Sequence, residues 1–167
     1  MNAKPARITG LVAIIAGIVF ILAGGVTWGL ISANLTEQEI TVAEDSPMLA
    51  GDEVNGPVSA FAEAQIINTH AMAATEGRTY AELGALVKEA EAAGDAAAAE
   101  ELQAQRTTVM NASFLRASLF TSVVAYGDAA LVMGLGVLLT VVGWGFSSLA
   151  RTTSPATTAA KGQPVTV

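Results

Sequence analysis

Ile8-Thr-Gly-Leu-Val-Ala-Ile-Ile-Ala-Gly-Ile-Val-Phe-Ile-Leu-Ala-Gly-Gly-Val-Thr-Trp-Gly-Leu-Ile-Ser-Ala33 is a run of twenty-six residues without a charge. The hydrocarbon core of a bilayer is about 30 Å thick, and a helix rising about 1.5 Å per residue needs roughly 20 apolar residues to cross it. The run meets that length, and Trp28 near its far end is the kind of side chain that settles at headgroup level. Ile31-Ser32-Ala33 also resembles a signal-peptide cleavage site, but the apolar core of such a peptide is only about 7–15 residues long. An uncleaved membrane anchor over 8–32 is the expected reading.

A second run begins after Arg116 and reaches Arg151, interrupted by one ionisable residue, Asp128. It is longer than one crossing requires. Counting back about 20 residues from Arg151 brings the outer interface close to Tyr126 and Asp128. The expected span is 126–150, and 117–125 becomes a helical stalk outside it.

Charge orients the chain. The net charge of −7 is uneven: residues 34–116 hold fourteen acids and four bases, whereas the flanks carry Lys4, Arg7, Arg151 and Lys161 and no acid. Basic residues flanking a span stay in the cytoplasm. Both ends, 1–7 and 151–167, are therefore expected inside, the tail disordered, and the acidic segment outside the cell membrane. With no cysteine in the chain, a disulfide framework, a thiolate metal site and a cysteine nucleophile are excluded.

Between the spans, 33–56 contains Ser46-Pro47, Gly51 and Asn55-Gly56-Pro57 and lacks helical periodicity. Extended chain is expected there, with a strand-like stretch at Ile40-Thr41-Val42. Pro57 suits a first helical turn, where its missing N–H costs nothing, and Gly77 ends that helix. Thr79-Tyr-Ala-Glu82 is a capping box, followed by Tyr80, Leu83, Val87 and Ala90 on one face. Gly94-Asp95 closes this helix and starts another, which runs without a breaker into the second span, with Leu102, Val109, Leu115 and Leu119 as buried candidates. The Ala- and Glu-rich stretch 89–105 reads as the solvated tip of a hairpin. The expected fold is thus an all-α membrane protein with two transmembrane helices bracketing an extracytoplasmic helical domain over 57–125, the second span continuous with a long outer helix.

Val54-Asn-Gly-Pro57, Gln65-Ile-Ile-Asn-Thr-His70, Gly77-Arg-Thr-Tyr-Ala-Glu-Leu83 and the stretch Ala112–Ala125 resemble a family of small actinobacterial two-pass membrane proteins of unknown biochemical role. Some of its members carry a label as aromatic ring-opening dioxygenases. The resemblance, over roughly residues 8–149, implies this topology and a cell-envelope setting, and brings no catalytic residues with it. A non-haem iron oxygenase site uses two histidines and a carboxylate; this chain has only His70. No cofactor or metal site is expected.

The remaining candidates are few. Small residues four apart recur in both spans: Ala13 with Gly17, Gly25 with Gly29, Ala130 with Gly134, Gly143 with Ser147. Such pairs let helix backbones approach closely in lipid, either the two spans on each other or a span on a partner. Asp128, ionisable within an apolar run, is a candidate for an ion or proton path or else a polar anchor at the surface. Arg116 lies twelve residues upstream of it. His70 is either a pH-responsive group or a plain hydrogen-bonded helix residue. So acidic an exterior repels nucleic acid. Three functions are consistent with these features: a non-catalytic accessory or scaffold subunit of a larger envelope or respiratory complex, an oligomeric transport component using Asp128, and a sensor of the outer milieu. The expected partners are membrane lipid and other membrane subunits or further copies of the chain.

Overall fold

The computed structural model describes residues 3–152. The tail from 153 onward, with Lys161, lies outside the described residues. Four helices follow one another: α1 (Ala3–Thr36), α2 (Pro57–Ala74), α3 (Tyr80–Ala92) and α4 (Ala96–Thr152). Among the described residues the regular elements are all helices, as the sequence predicts, and α1 and α4 are long and apolar enough to cross a membrane. In the most apolar stretch of each, only 17% of residues are buried, whereas a soluble protein's core helix is mostly covered. Two compact units result, one of residues 3–23 and 132–152, the other Gly24–Leu131.

In the first unit α1 and α4 run antiparallel at very short range. A methyl carbon at Gly10 would stand 2.7 Å from the Gly143 carbonyl oxygen, and one at Gly143 would stand 2.5 Å from that of Gly10. Gly17 and Gly136 repeat the arrangement one step along, at 2.5 and 2.6 Å. Real side-chain carbons do not come so close, so only glycine fits at these four positions. The outward faces carry Leu11, Val12, Ile15, Val19, Leu138, Val141 and Trp144, all exposed.

The second unit is a helical head. Its core gathers Leu35, Val42, Val54, Ala60, Ala62, Ala64, Leu119 and Tyr126. Local signals start and stop the helices where the sequence predicts. Ser59 Oγ accepts the Gly56 N–H at 3.2 Å to open α2 behind Pro57, and Gly77, at φ +78°, donates to the Met72 carbonyl at 2.7 Å to end it. The Thr79 N–H donates to Glu82 at 2.7 Å, which holds the Glu82 carboxyl below its ordinary value of 4.5. Gly94 takes φ +75°, and Asp95 Oδ1 accepts from the Ala98 N–H at 3.0 Å to start α4.

Two expectations are corrected. The segment 33–56 is not extended throughout: 33–36 complete α1, and 40–54 fold back on themselves through one antiparallel bridge between Thr41 and Glu53. Burial of Val42 and Val54 draws these two arms together. On α4 the inward stripe is Val109, Ala112, Arg116, Leu119, Val123 and Tyr126, stepping by three and four. Leu115 lies one position off that stripe and is exposed, as is Tyr80 on α3; Leu83, Val87, Val109 and Leu119 are buried as predicted.

Candidate interaction surfaces

The glycine seam, the head core and the uncovered apolar faces are where the candidate residues fall. Gly17 and Gly143 lie in the α1–α4 seam, and Ser147 Oγ stands against Gly10. Ala13 is half-buried. Gly25, Gly29 and Gly134 have open space where a side chain would be, and Ala130 is exposed. Gly10, Gly136 and Thr140, absent from the sequence-based candidates, complete the contact: Thr140 Oγ1 sits against Gly17 and donates to the Gly136 carbonyl of its own helix at 2.8 Å. The repeat that matters is seven residues, from Gly10 to Gly17 and from Gly136 to Gly143. It was open to reading in the sequence as two turns at 3.5 residues each, the period of two helices that stay in contact along a seam.

Arg116 fills an inward position. Its Nε donates to the Ala64 carbonyl at 3.1 Å and its Nη1 to Asn68 Oδ1 at 2.8 Å, and its guanidinium carbon lies 5.7 Å from the Phe120 ring centre. These bonds fasten α4 to α2, one helical turn apart on the latter.

Within the head Tyr126, only 1% exposed, joins three segments. Its hydroxyl donates to the Asn55 carbonyl at 3.0 Å and shares a 2.7 Å hydrogen bond with Ser32 Oγ. A phenol has one proton, so the serine donates to it. The Trp28 ring packs edge-on against Tyr126 at 4.7 Å. Asp128, two residues further along α4, is exposed.

His70 is half exposed and hydrogen-bonds Asp45 Oδ2 through Nε2 at 2.7 Å. Seven residues earlier on α2, Glu63 Oε2 accepts from the Ala43 N–H at 3.1 Å. The two bonds together pin the loop over 43–45 to α2. The hydrogen bond from His70 is the main cause that holds the Asp45 carboxyl below its ordinary value of 3.8. A depressed carboxyl adds stability above the unfolded value and loses it as pH falls through the folded one. His70→Ala should therefore return Asp45 towards 3.8 and flatten the acid limb of the unfolding curve below that pH. Carboxyl chemical shifts followed through a pH titration check the first part, and both groups are exposed enough that the effect is small.

Among the described residues no three His, Asp or Glu side chains stand close enough to hold a metal ion. The head instead presents apolar clefts. Ile67 and Leu115 line two of them, one with Ala71 and Ala112, the other with Ile40 and Leu119; Phe114, next to Leu115 in the chain, is exposed. No protein-family model matches the chain, and neither does any curated protein or any solved structure.

Proposed function

We propose that this chain is a two-pass protein of the cell membrane, with both ends in the cytoplasm and the helical head outside. There it serves as a non-catalytic accessory or scaffold subunit of a larger envelope or respiratory assembly. The observation that carries this reading is how little of α1 and α4 is covered. The two helices satisfy each other along one narrow glycine seam, and the apolar faces that remain, with Gly25, Gly29 and Gly134 open, are suited to lipid and to neighbouring helices. In the head, exposed Phe114 and Leu115, the latter lining two apolar clefts, offer a protein partner a surface of the same character. Lys4, Arg7, Arg151 and Lys161 support the orientation.

Because the chain has no cysteine, single cysteines report topology directly. With an impermeant maleimide on intact cells, Ala97→Cys at the head's exposed tip should react and Ala159→Cys in the tail should not; the reverse pattern excludes the orientation. Purification in mild detergent followed by mass spectrometry is expected to recover a defined set of larger membrane proteins. Recovery of the chain alone, with Phe114→Ser giving the same result, counts against the scaffold role.

A further inference from the structure

We infer that the cleft between α3 and the N-terminal turns of α4 is a binding site for a small, singly charged carboxylate with a short apolar body, held by Arg106 and Lys88. The site goes beyond the scaffold role and does not depend on it, since every residue involved lies within the head.

The head's cations single this cleft out. Residues 34–116 hold fourteen acids and only four bases, Arg78, Lys88, Arg106 and Arg116. Arg78 is paired with Glu76, and Arg116 is taken up by the Ala64 carbonyl and Asn68. Among the described residues no carboxylate stands within ion-pair reach of Lys88 or Arg106. The two cations that so acidic a head leaves unpaired line one and the same cleft, of about 470 Å3. Sites for small molecules span about 300–1,000 Å3.

The Arg106 guanidinium is seated there without being bonded. Its carbon lies 4.2 Å from the centre of the Tyr80 ring, a cation–π distance. A methyl carbon at Gly84 would stand 3.2 Å from its Nε and 3.5 Å from its Cζ. Tyr80 and Gly84 are one helical turn apart, so the group rests on α3, and the absent side chain at 84 lets it come close. Its Nε is sealed from water and meets no acceptor. A cation stripped of part of its hydration and given no protein acceptor attracts an anion more strongly than one in open water.

The lining selects the kind of anion. Glu91 shares the cleft with Lys88 and Arg106, and two cations against one carboxylate leave one net positive charge. A single carboxylate matches it and offers two oxygens to the guanidinium fork, whereas Glu91 opposes the second charge of a phosphate. The Tyr80 ring, 42% exposed, and Val87 give the cleft an apolar wall that suits a short hydrocarbon body.

Titration of the full, nitrogen-15-labelled chain in dodecyl maltoside micelles with sodium butyrate, at constant ionic strength and neutral pH, tests this. The Gly84 and Tyr80 amide resonances are expected to shift saturably. Arg106→Gln should weaken butyrate about tenfold or more, the worth of a charged hydrogen bond. Lys88→Gln, at an exposed side chain that leaves the fold intact, should weaken it about twofold to fivefold. If Arg106→Gln does not fold, the Lys88→Gln comparison decides alone. No saturable shift at Gly84, or parent-like binding in the folded variants, overturns the site. Equal shifts with 1-butanol would mean that no cation is engaged, and inorganic phosphate binding as tightly as butyrate would mean that the lining does not select a monocarboxylate; either result overturns the inference.

Discussion

Gly17→Leu is expected to separate α1 from α4 at one of the two glycine contacts of their seam. At this position a side-chain carbon meets Thr140 Oγ1, the Gly136 carbonyl oxygen at 2.5 Å and the Thr140 nitrogen at 2.8 Å. Two of these three are backbone atoms within a helix and cannot step aside, so the helices themselves must move apart. Forcing bulk into a packed contact costs about 1–3 kcal/mol even where neighbours can shift, and the seam leaves them little room to do so. With the pair in lipid, as proposed above, the loss is not recovered, because helices associate there by close packing rather than by escape from water. Reversible unfolding by dodecyl sulfate added to dodecyl maltoside micelles measures it. Gly25→Leu, with open space around the same atom, provides the comparison and should stay within about 0.5 kcal/mol of the parent. Equal midpoints for the two variants would show that the seam does not hold the pair.

That contrast between Gly17 and Gly25 also marks how far the sequence reaches. Helix limits were legible because their signals are local: Thr79 and Glu82 satisfy each other three residues apart, Asp95 bonds Ala98, and Gly77 and Gly94 take backbone angles that other residues resist. Which face of a helix meets which neighbour is not a local matter. A spacing of four in α1 picks out Gly25 and Gly29 as readily as Gly17, whereas the antiparallel pair selects by a seven-residue step on both helices at once. On α4, hydropathy favours Leu115, yet the three-and-four stripe passes through Arg116. A guanidinium is tolerable there only because α2 brings the Ala64 carbonyl and Asn68 to it from about fifty residues away. Asp45 and His70, twenty-five residues apart, find each other for the same reason. No periodicity announces a partner supplied by another segment.

Tyr126 is the extreme of this dependence and carries the largest expected effect. Its two hydrogen-bond partners, Ser32 and Asn55, lie ninety-four and seventy-one residues away in the chain. The side chain is thus the point where the end of α1, the loop before α2 and α4 are tied together. Tyr126→Ala removes a fully buried ring from the head core and its edge contact with Trp28, a change of the kind that costs about 3–5 kcal/mol. Tyr126→Phe keeps the ring and removes only the hydroxyl. The Asn55 carbonyl and Ser32 hydroxyl then lose their partner, at about 1–3 kcal/mol. If the three groups act as one network, Ser32→Ala added to Tyr126→Phe costs little more, since the bond it removes is already gone. The emission of Trp28 in a Trp144→Phe background, followed through urea unfolding in micelles, reads all three variants; Trp144 is exposed on α4, and its replacement leaves the head untouched. Full additivity of the Ser32 and Tyr126 changes would mean that the hydroxyls act separately. A shift below about 1 kcal/mol for Tyr126→Ala, far under the cost of emptying a packed aromatic site, would mean that the head does not depend on this tie at all.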